Sequence, residues 1–211
     1  MNFYIISPPE ENINFTPKNF NIISDILNVD YFQFRPKFAK LKDRINFVEK
    51  YFNDFKQICN NKKIKIIINN DFEIAKKFFF DGIHLGQEDK LCSEAKKLFG
   101  INFQVGVSCN DSIEKYKKAK DHGANYVAFG PMFNSKTKNK KKISKNKIQK
   151  IRENIKIPLT LIGGINHSNF LKLRDIKPSN IATIDSIWNF KSGPKKSAEL
   201  FKKKLIYGAQ E

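Results

Sequence analysis

Short apolar runs rich in Ile, Val, Phe and Tyr alternate along the chain with longer segments whose apolar residues return every three or four positions. The runs FYIIS (3–7), YFQF (31–34), IKIIIN (64–69), GIHL (82–85), FQVGVS (103–108), YVAFG (126–130), PLTLIGG (158–164) and IATID (181–185) read as strands. Between them, LKDRINFVEKYFNDFKQI (41–58) puts Ile45, Val48, Phe52, Phe55 and Ile58 on one helical face. The same spacing predicts helices near 17–27, 71–79, 91–98, 111–122, 145–154, 168–174 and 194–206. Near-continuous apolar strands suit a parallel sheet, whose crossover helices cover both faces. Eight strand–helix units in 211 residues therefore predict an α/β fold, a single-domain (β/α)8 TIM barrel over 1–211. An open doubly wound sheet fits less well, since about six strands usually suffice there and no GxGxxG follows the first strand.

A chain of this length buries a sizeable core without disulfides or a structural metal. Cys59, Cys92 and Cys109 are far apart and form no CxxC pair, which favours a reduced, cytoplasmic protein. No run resembles a signal peptide or a membrane span, so a soluble protein with no membrane partner is expected. The formal charge of +18 comes from lysines spread through every predicted helix. Such a surface attracts anions weakly, whereas nucleic-acid binding would call for a concentrated stripe on a recognisable module. The densest run, KTKNKKKISKNK at 136–147, reads as a solvated loop whose lysines grip a small anion, and no nucleic-acid partner is expected.

In a parallel barrel the strand C-termini share one face, where active sites are built. Polar, cationic and small residues gather there in this sequence. Strand two leads into Gln33, Arg35 and Lys37, strand three into Asn69, Asn70 and Asp71, and strand four into Gln87, Glu88 and Asp89. Strand five supplies Ser108, Cys109 and Asn110; strand six leads to Ser135, Thr137 and Lys138. Strand seven ends in Gly163-Gly164 and strand eight in Asp185-Ser186. The period-two spacing of Gln33, Arg35 and Lys37 turns all three toward one side of an extended chain, where they can converge on an anion. The diglycine allows backbone N–H groups to approach a phosphate. A carboxylate at 89 beside these cations is a poor general base, because they hold it ionised, and a good Mg²⁺ ligand. The same residue also suits an N-cap of the helix near Leu91, and Asp111 and Ser168 read as caps. Together the set points to a diphosphate-bearing substrate. His84 reads as a hydrogen-bonded core residue and Trp188 as packing; no Ser-His-Asp set or histidine metal pattern is present.

With QFRPK, DGIHLGQED, GVS, the GP and TK of GPMFNSKTK, and IGGIN in order, the sequence resembles the thiamine phosphate synthase family and its thiazole tautomerase relatives. The resemblance implies a (β/α)8 barrel and a transferase of thiamine biosynthesis. Such an enzyme joins hydroxymethylpyrimidine diphosphate to hydroxyethylthiazole phosphate, releasing diphosphate. It implies that Gln33 meets the pyrimidine, that Arg35, Lys37, Asn69 and Lys138 hold the diphosphate, and that Ser108 helps seat the pyrimidine. It places Ser135 and Thr137 on the thiazole phosphate, with backbone amides at Gly164 and Ile184-Asp185, and makes Asp89 and Asn70 the ligands of Mg²⁺. Partners are then small molecules, with a homo-oligomer left open. The chain departs from the family pattern in having Asn70 where an Asp is usual, Asp185 where a Ser is usual, and Ser7-Pro8-Pro9 after the first strand. Asp71 is a substitute ligand only with a backbone shift. Two alternatives follow: a thiazole tautomerase, whose His falls at Asn110 here, with Cys109 the nearest acid–base group, or a non-catalytic thiazole-phosphate binder.

Overall fold

A computed structural model describes residues 1–86, 92–134 and 142–208. Eight parallel strands close into a barrel in sequence order: β1 (Asn2–Ile6), β2 (Val29–Phe34), β3 (Lys65–Asn69), β4 (Gly82–Leu85), β5 (Gln104–Asn110), β6 (Tyr126–Phe129), β7 (Leu159–Ile162) and β8 (Asn180–Thr183). The helices outside are α1 (Pro17–Ile26), α2 (Leu41–Lys62), α3 (Phe72–Lys77), α4 (Cys92–Phe99), α5 (Ile113–Asp121), α6 (Lys145–Asn154), α7 (Asp185–Trp188) and α8 (Gly193–Tyr207). No helix of the described residues is long and apolar enough to cross a membrane.

Local chemistry sets these boundaries. Thr16 caps α1 by accepting from the Asn19 N–H, and Pro17 supplies the preset φ of a first turn. Asp71, Ser112 and Ser144 cap α3, α5 and α6 in the same way. The cap of α5 is thus Ser112 rather than Asp111, whose carboxylate pairs with Lys147 instead. Between β7 and β8 the expected α-helix is a 3-10 helix, Phe170–Ile176. Asn166 Oδ1 accepts from the Ser168 amide and hydroxyl, and Asn169 Oδ1 accepts from the Asn166 N–H. These short side-chain bonds compete with the α-helical ladder, and Pro178 closes the segment from the other side.

Strand residues of one parity pack outward against the helices. Phe32 and Phe34 of β2 meet Phe15, Phe20, Phe47 and Phe55 in one aromatic cluster. Truncating a fully buried ring such as Phe55 would cost about 3–5 kcal/mol. Trp188 is buried there too and donates its Nε1–H to the Ile6 carbonyl, which ties α7 to β1.

The opposite parity points into the barrel. Tyr4, Ile6, Tyr126 and Ala182 form a second, smaller buried cluster. Tyr4 and Tyr126 stand on strands that are not neighbours, yet their hydroxyls lie 2.8 Å apart, so both rings occupy the barrel interior. Gly106 makes room for them: a Cβ at that position would lie 2.0 Å from Tyr126 Cζ.

Candidate active site

The site is assembled from strand ends. Gln33, on β2, is buried and turns inward, donating its Nε2–H to Tyr4 Oη at 2.7 Å. Two residues on, just past the end of β2, Arg35 is half-buried, and its backbone N–H is held by Ser7 Oγ at 2.8 Å. Ser7 is itself fully buried and donates to the Pro8 carbonyl, so the Ser7-Pro8-Pro9 corner anchors the strand that carries Arg35. Lys37 lies exposed beyond it, with its N–H on the Pro9 carbonyl. Burial lowers the Arg35 pKa from its ordinary value, but a guanidinium remains a cation.

His84 occupies the centre of the site. Its Nδ1 lies 3.1 Å from Tyr126 Oη and its Nε2 lies 2.9 Å from Ser108 Oγ. Burial, then the charge of Arg35, pull its pKa down to about 4, so the ring is neutral near pH 7. Arg35 is thus close enough for its charge to act on His84. Burial keeps Tyr4 and Tyr126 protonated as well. Gln33, Tyr4, Tyr126, His84 and Ser108 therefore form one continuous chain of hydrogen bonds.

Asn69 stands beside His84 in the β3–β4 register, while Asn70 follows with φ 60° and donates its N–H to the His84 carbonyl. Asp71 is not available as a metal ligand. It accepts from the Ile74 N–H as a helix cap and from Arg44 Nε at 2.9 Å. No group of three or more His, Cys, Asp or Glu among the described residues is placed to hold a metal. The described ends of β3 offer only neutral amide oxygens. They suit Mg²⁺ only together with a carboxylate from the β4 side and substrate phosphate oxygens. Asp89, the expected carboxylate, lies outside the described residues, as do Ser135, Thr137 and Lys138.

On the far side, Gly163 and Gly164 adopt φ 101° and 63°. Their neighbours are zipped to the loop after β6: the Met132 N–H donates to Ile162 O and the Phe133 N–H to Gly163 O. A Cβ at Gly164 would lie 2.2 Å from the Asn134 carbonyl. Just past β8, Ile184 is the N-cap residue of α7 and Asp185 its first residue. The Asp185 carboxylate is exposed and accepts from Asn189 Nδ2 at 3.0 Å, along its own helix.

Cys109 faces the outer core, fully buried, and burial pushes its thiol up to about 12. It therefore supplies no acid–base group to the mouth, and Asn110 has none to offer. Sequence reasoning left Tyr4, Tyr126 and Ser7 unassigned and read His84 as core. The signal for the first two was strand parity, which turns Tyr4 to the same side as Ile6 and Tyr126 to the same side as Ala128.

A closed parallel barrel with its polar groups collected at the strand C-termini defines a (β/α)8 barrel of the kind whose chemistry sits on that face. The chain belongs to the thiamine monophosphate synthase family, whose model matches residues 3–187. It is 37% identical over 190 residues to the thiamine-phosphate synthase of Pelagibacter ubique, a match covering 89% of each chain. It is 33% identical over 209 residues to that of Prochlorococcus marinus subsp. pastoris, covering 98% of this chain and 56% of that longer protein. Its fold superposes on a thiamine phosphate pyrophosphorylase from Pyrococcus furiosus with a TM-score of 0.79 at 22% identity, covering 100% of this chain and 97% of the other.

Proposed function

We propose that this protein is a thiamine phosphate synthase, joining hydroxymethylpyrimidine diphosphate to hydroxyethylthiazole phosphate. Similarity to curated thiamine-phosphate synthases through nearly the whole chain carries the reading. The described geometry supports it with a buried, hydrogen-bonded set of polar side chains inside the barrel, a half-buried cation at Arg35, and a glycine turn after β7.

In this reading the C–O bond between the pyrimidine methylene and the diphosphate breaks heterolytically, and both electrons leave with the diphosphate. The electron-rich aminopyrimidine spreads the charge left behind. The thiazole nitrogen then supplies its lone pair to the new C–N bond, and no proton need move. Catalysis rests on neutralising the leaving anion and aligning the partners, which needs no side-chain nucleophile. Arg35, Lys37, Asn69 and Lys138 hold the diphosphate, Gln33 and Ser108 seat the pyrimidine, and Ser135, Thr137, Gly164 and Ile184-Asp185 receive the thiazole phosphate. Mg²⁺, held by Asp89 and Asn70, would add charge neutralisation at the leaving group. Three free, buried thiols accord with a reducing cytoplasm.

Purified protein given both substrates and Mg²⁺ is expected to release diphosphate in step with thiamine phosphate. Thiazole phosphate binding without release would instead identify a binder. Asn70→Asp is expected to tighten Mg²⁺ binding in the presence of diphosphate by about tenfold, the order of one added charge in a well-screened site. Isothermal titration reads this without turnover, and an unchanged affinity would remove Asn70 from the ligand set. The tautomerase alternative loses ground because Cys109 is turned away from the mouth.

A further inference from the structure

Gly163-Gly164 and Ile184-Asp185 lie beyond the last paired residues of their strands. β7 and β8 stay in register only as far as Ile162 opposite Ala182, so the sheet does not fix how the two segments stand relative to each other. Side chains of the β7–β8 connection and of α8 link them instead. Asn169 donates its Nδ2–H to the Gly164 carbonyl at 2.8 Å and accepts from the Asn166 N–H through Oδ1, which settles the orientation of its amide. Next to Asn166, the half-buried ring of His167 packs on Phe201 and Phe190. Its Nε2 lies 3.1 Å from the Ser197 carbonyl and 2.9 Å from Ser197 Oγ. Ser197 is fully buried in α8, and its Oγ lies 2.6 Å from the Ser186 carbonyl. A carbonyl oxygen can only accept, so both directions are set: the Ser197 hydroxyl donates to Ser186, and His167 Nε2 donates to Ser197. A serine inside a helix often turns its hydroxyl back on its own helix, whereas this one is spent on another element. What it grips is a closed turn, since the Ile187 and Trp188 N–H groups both return to the Ile184 carbonyl.

We propose that Asn169, His167 and Ser197 form a brace that holds the Gly164 turn and the Ile184–Ile187 turn at the spacing a phosphate needs, with His167 as the positioning residue that joins its two halves. The proposal rests on the reading of Gly164 and Ile184-Asp185 as the seat of the thiazole phosphate. One phosphate group accepts from donors on two separate segments only where their separation is held in advance, and the brace supplies that preorganisation without touching the substrate. The pyrimidine diphosphate, read onto the other strand ends, does not depend on it. Loss of the brace therefore weakens one substrate and spares the other.

Two variants separate the donor of His167 from its bulk. His167→Phe keeps an aromatic ring against Phe190 and Phe201 and removes the donor; His167→Gln keeps a donor near the position of Nε2 and removes the ring. The first test uses ligand-free ¹⁵N-labelled protein and does not depend on the substrate. The Gly164, Asp185 and Ser186 amides should show microsecond-to-millisecond relaxation dispersion in His167→Phe and none in wild type or His167→Gln. Dispersion absent from His167→Phe, or equal in both variants, overturns the brace. The second test is titration calorimetry with each substrate. Kd for hydroxyethylthiazole phosphate should rise about tenfold in His167→Phe, the order of one lost buried hydrogen bond, and recover in His167→Gln. Kd for hydroxymethylpyrimidine diphosphate should hold steady in both. Equal weakening toward the two substrates would reduce His167 to a structural role and overturn the proposal. Should His167→Phe fail to fold, Ser197→Ala releases the Ser186 carbonyl and carries the same expectations. If wild-type protein binds no thiazole phosphate, the substrate reading falls and the amide dispersion alone decides the brace.

Discussion

At the scale of single residues, the site separates groups that must carry charge from groups that must not. Arg35 is half-buried with its backbone pinned by Ser7, so its guanidinium is presented from a fixed base. Arg35→Lys keeps the charge but loses the planar fork that grips two phosphate oxygens. We expect kcat/KM for the diphosphate substrate to fall by about 10²-fold, the order of losing a preorganised donor, with folding stability unchanged. Steady-state kinetics beside a urea melt check both halves. His84 shows the opposite demand. Its pKa falls from 6.5 to about 4, first through burial and then through Arg35, so the folded state resists protonation where the unfolded chain accepts it. Its contribution is complete above about pH 6.5 and is lost as pH falls toward 4, at up to roughly 1.4 kcal/mol per pH unit. Urea midpoints measured across that window should drop for the wild type and be flatter for His84→Gln.

At the scale of elements, the strand positions were legible because apolar runs of β-branched and aromatic residues have few alternatives when bounded by Gly, Pro and Asn. The side on which each strand presents its chemistry was legible at Gln33 of β2, which alternates with Phe32 and Phe34. It was not legible for β1 and β6, where Tyr4 and Tyr126 sit among apolar neighbours and either face would have accepted them. Only closure of the barrel brings those two hydroxyls together, and closure is a long-range property absent from a local pattern. Asp71 was ambiguous for a related reason: its engagement with Arg44 depends on how α2 packs beside α3. The diglycine after β7 was read as a place where backbone N–H groups approach a phosphate, and what the structure brings close to it is the loop leaving β6. Gly164→Ala would force a Cβ to within 2.2 Å of the Asn134 carbonyl at φ 63°. It should cost about 1–3 kcal/mol of stability. Because the displaced loop leads to Ser135 and Thr137, KM for the thiazole phosphate should rise more than KM for the pyrimidine diphosphate. Parallel titration of the two substrates decides this.

At the scale of the molecule, the excess of positive charge calls for a physical consequence other than nucleic-acid binding. Several lysines are engaged with carboxylates on the barrel exterior, as Lys145 is with Asp175 and Lys56 with Asp81. A net +18 remains, from lysines distributed along the whole sequence. A diffuse positive field has little to say about which base or groove is read, yet it draws any small polyanion toward the molecule and raises the encounter rate. Both proposed substrates carry phosphate, so the whole surface serves the mouth by long-range attraction, and only the last few ångströms depend on Arg35, Lys37 and the glycine turn. Screening separates the two contributions. Raising ionic strength from about 0.01 to 0.15 M shortens the Debye length from roughly 30 to 8 Å, which suppresses the field while leaving contacts inside the pocket largely intact. We therefore expect kcat/KM for the diphosphate substrate to fall by about tenfold over that range, within the span of steered encounters, while kcat holds steady. Charge reduction on the outer face of α8, by Lys202→Gln with Lys203→Gln, should flatten that salt dependence without altering kcat. A parallel loss of kcat would instead assign the salt effect to the pocket itself and leave the surface charge without a part in capture.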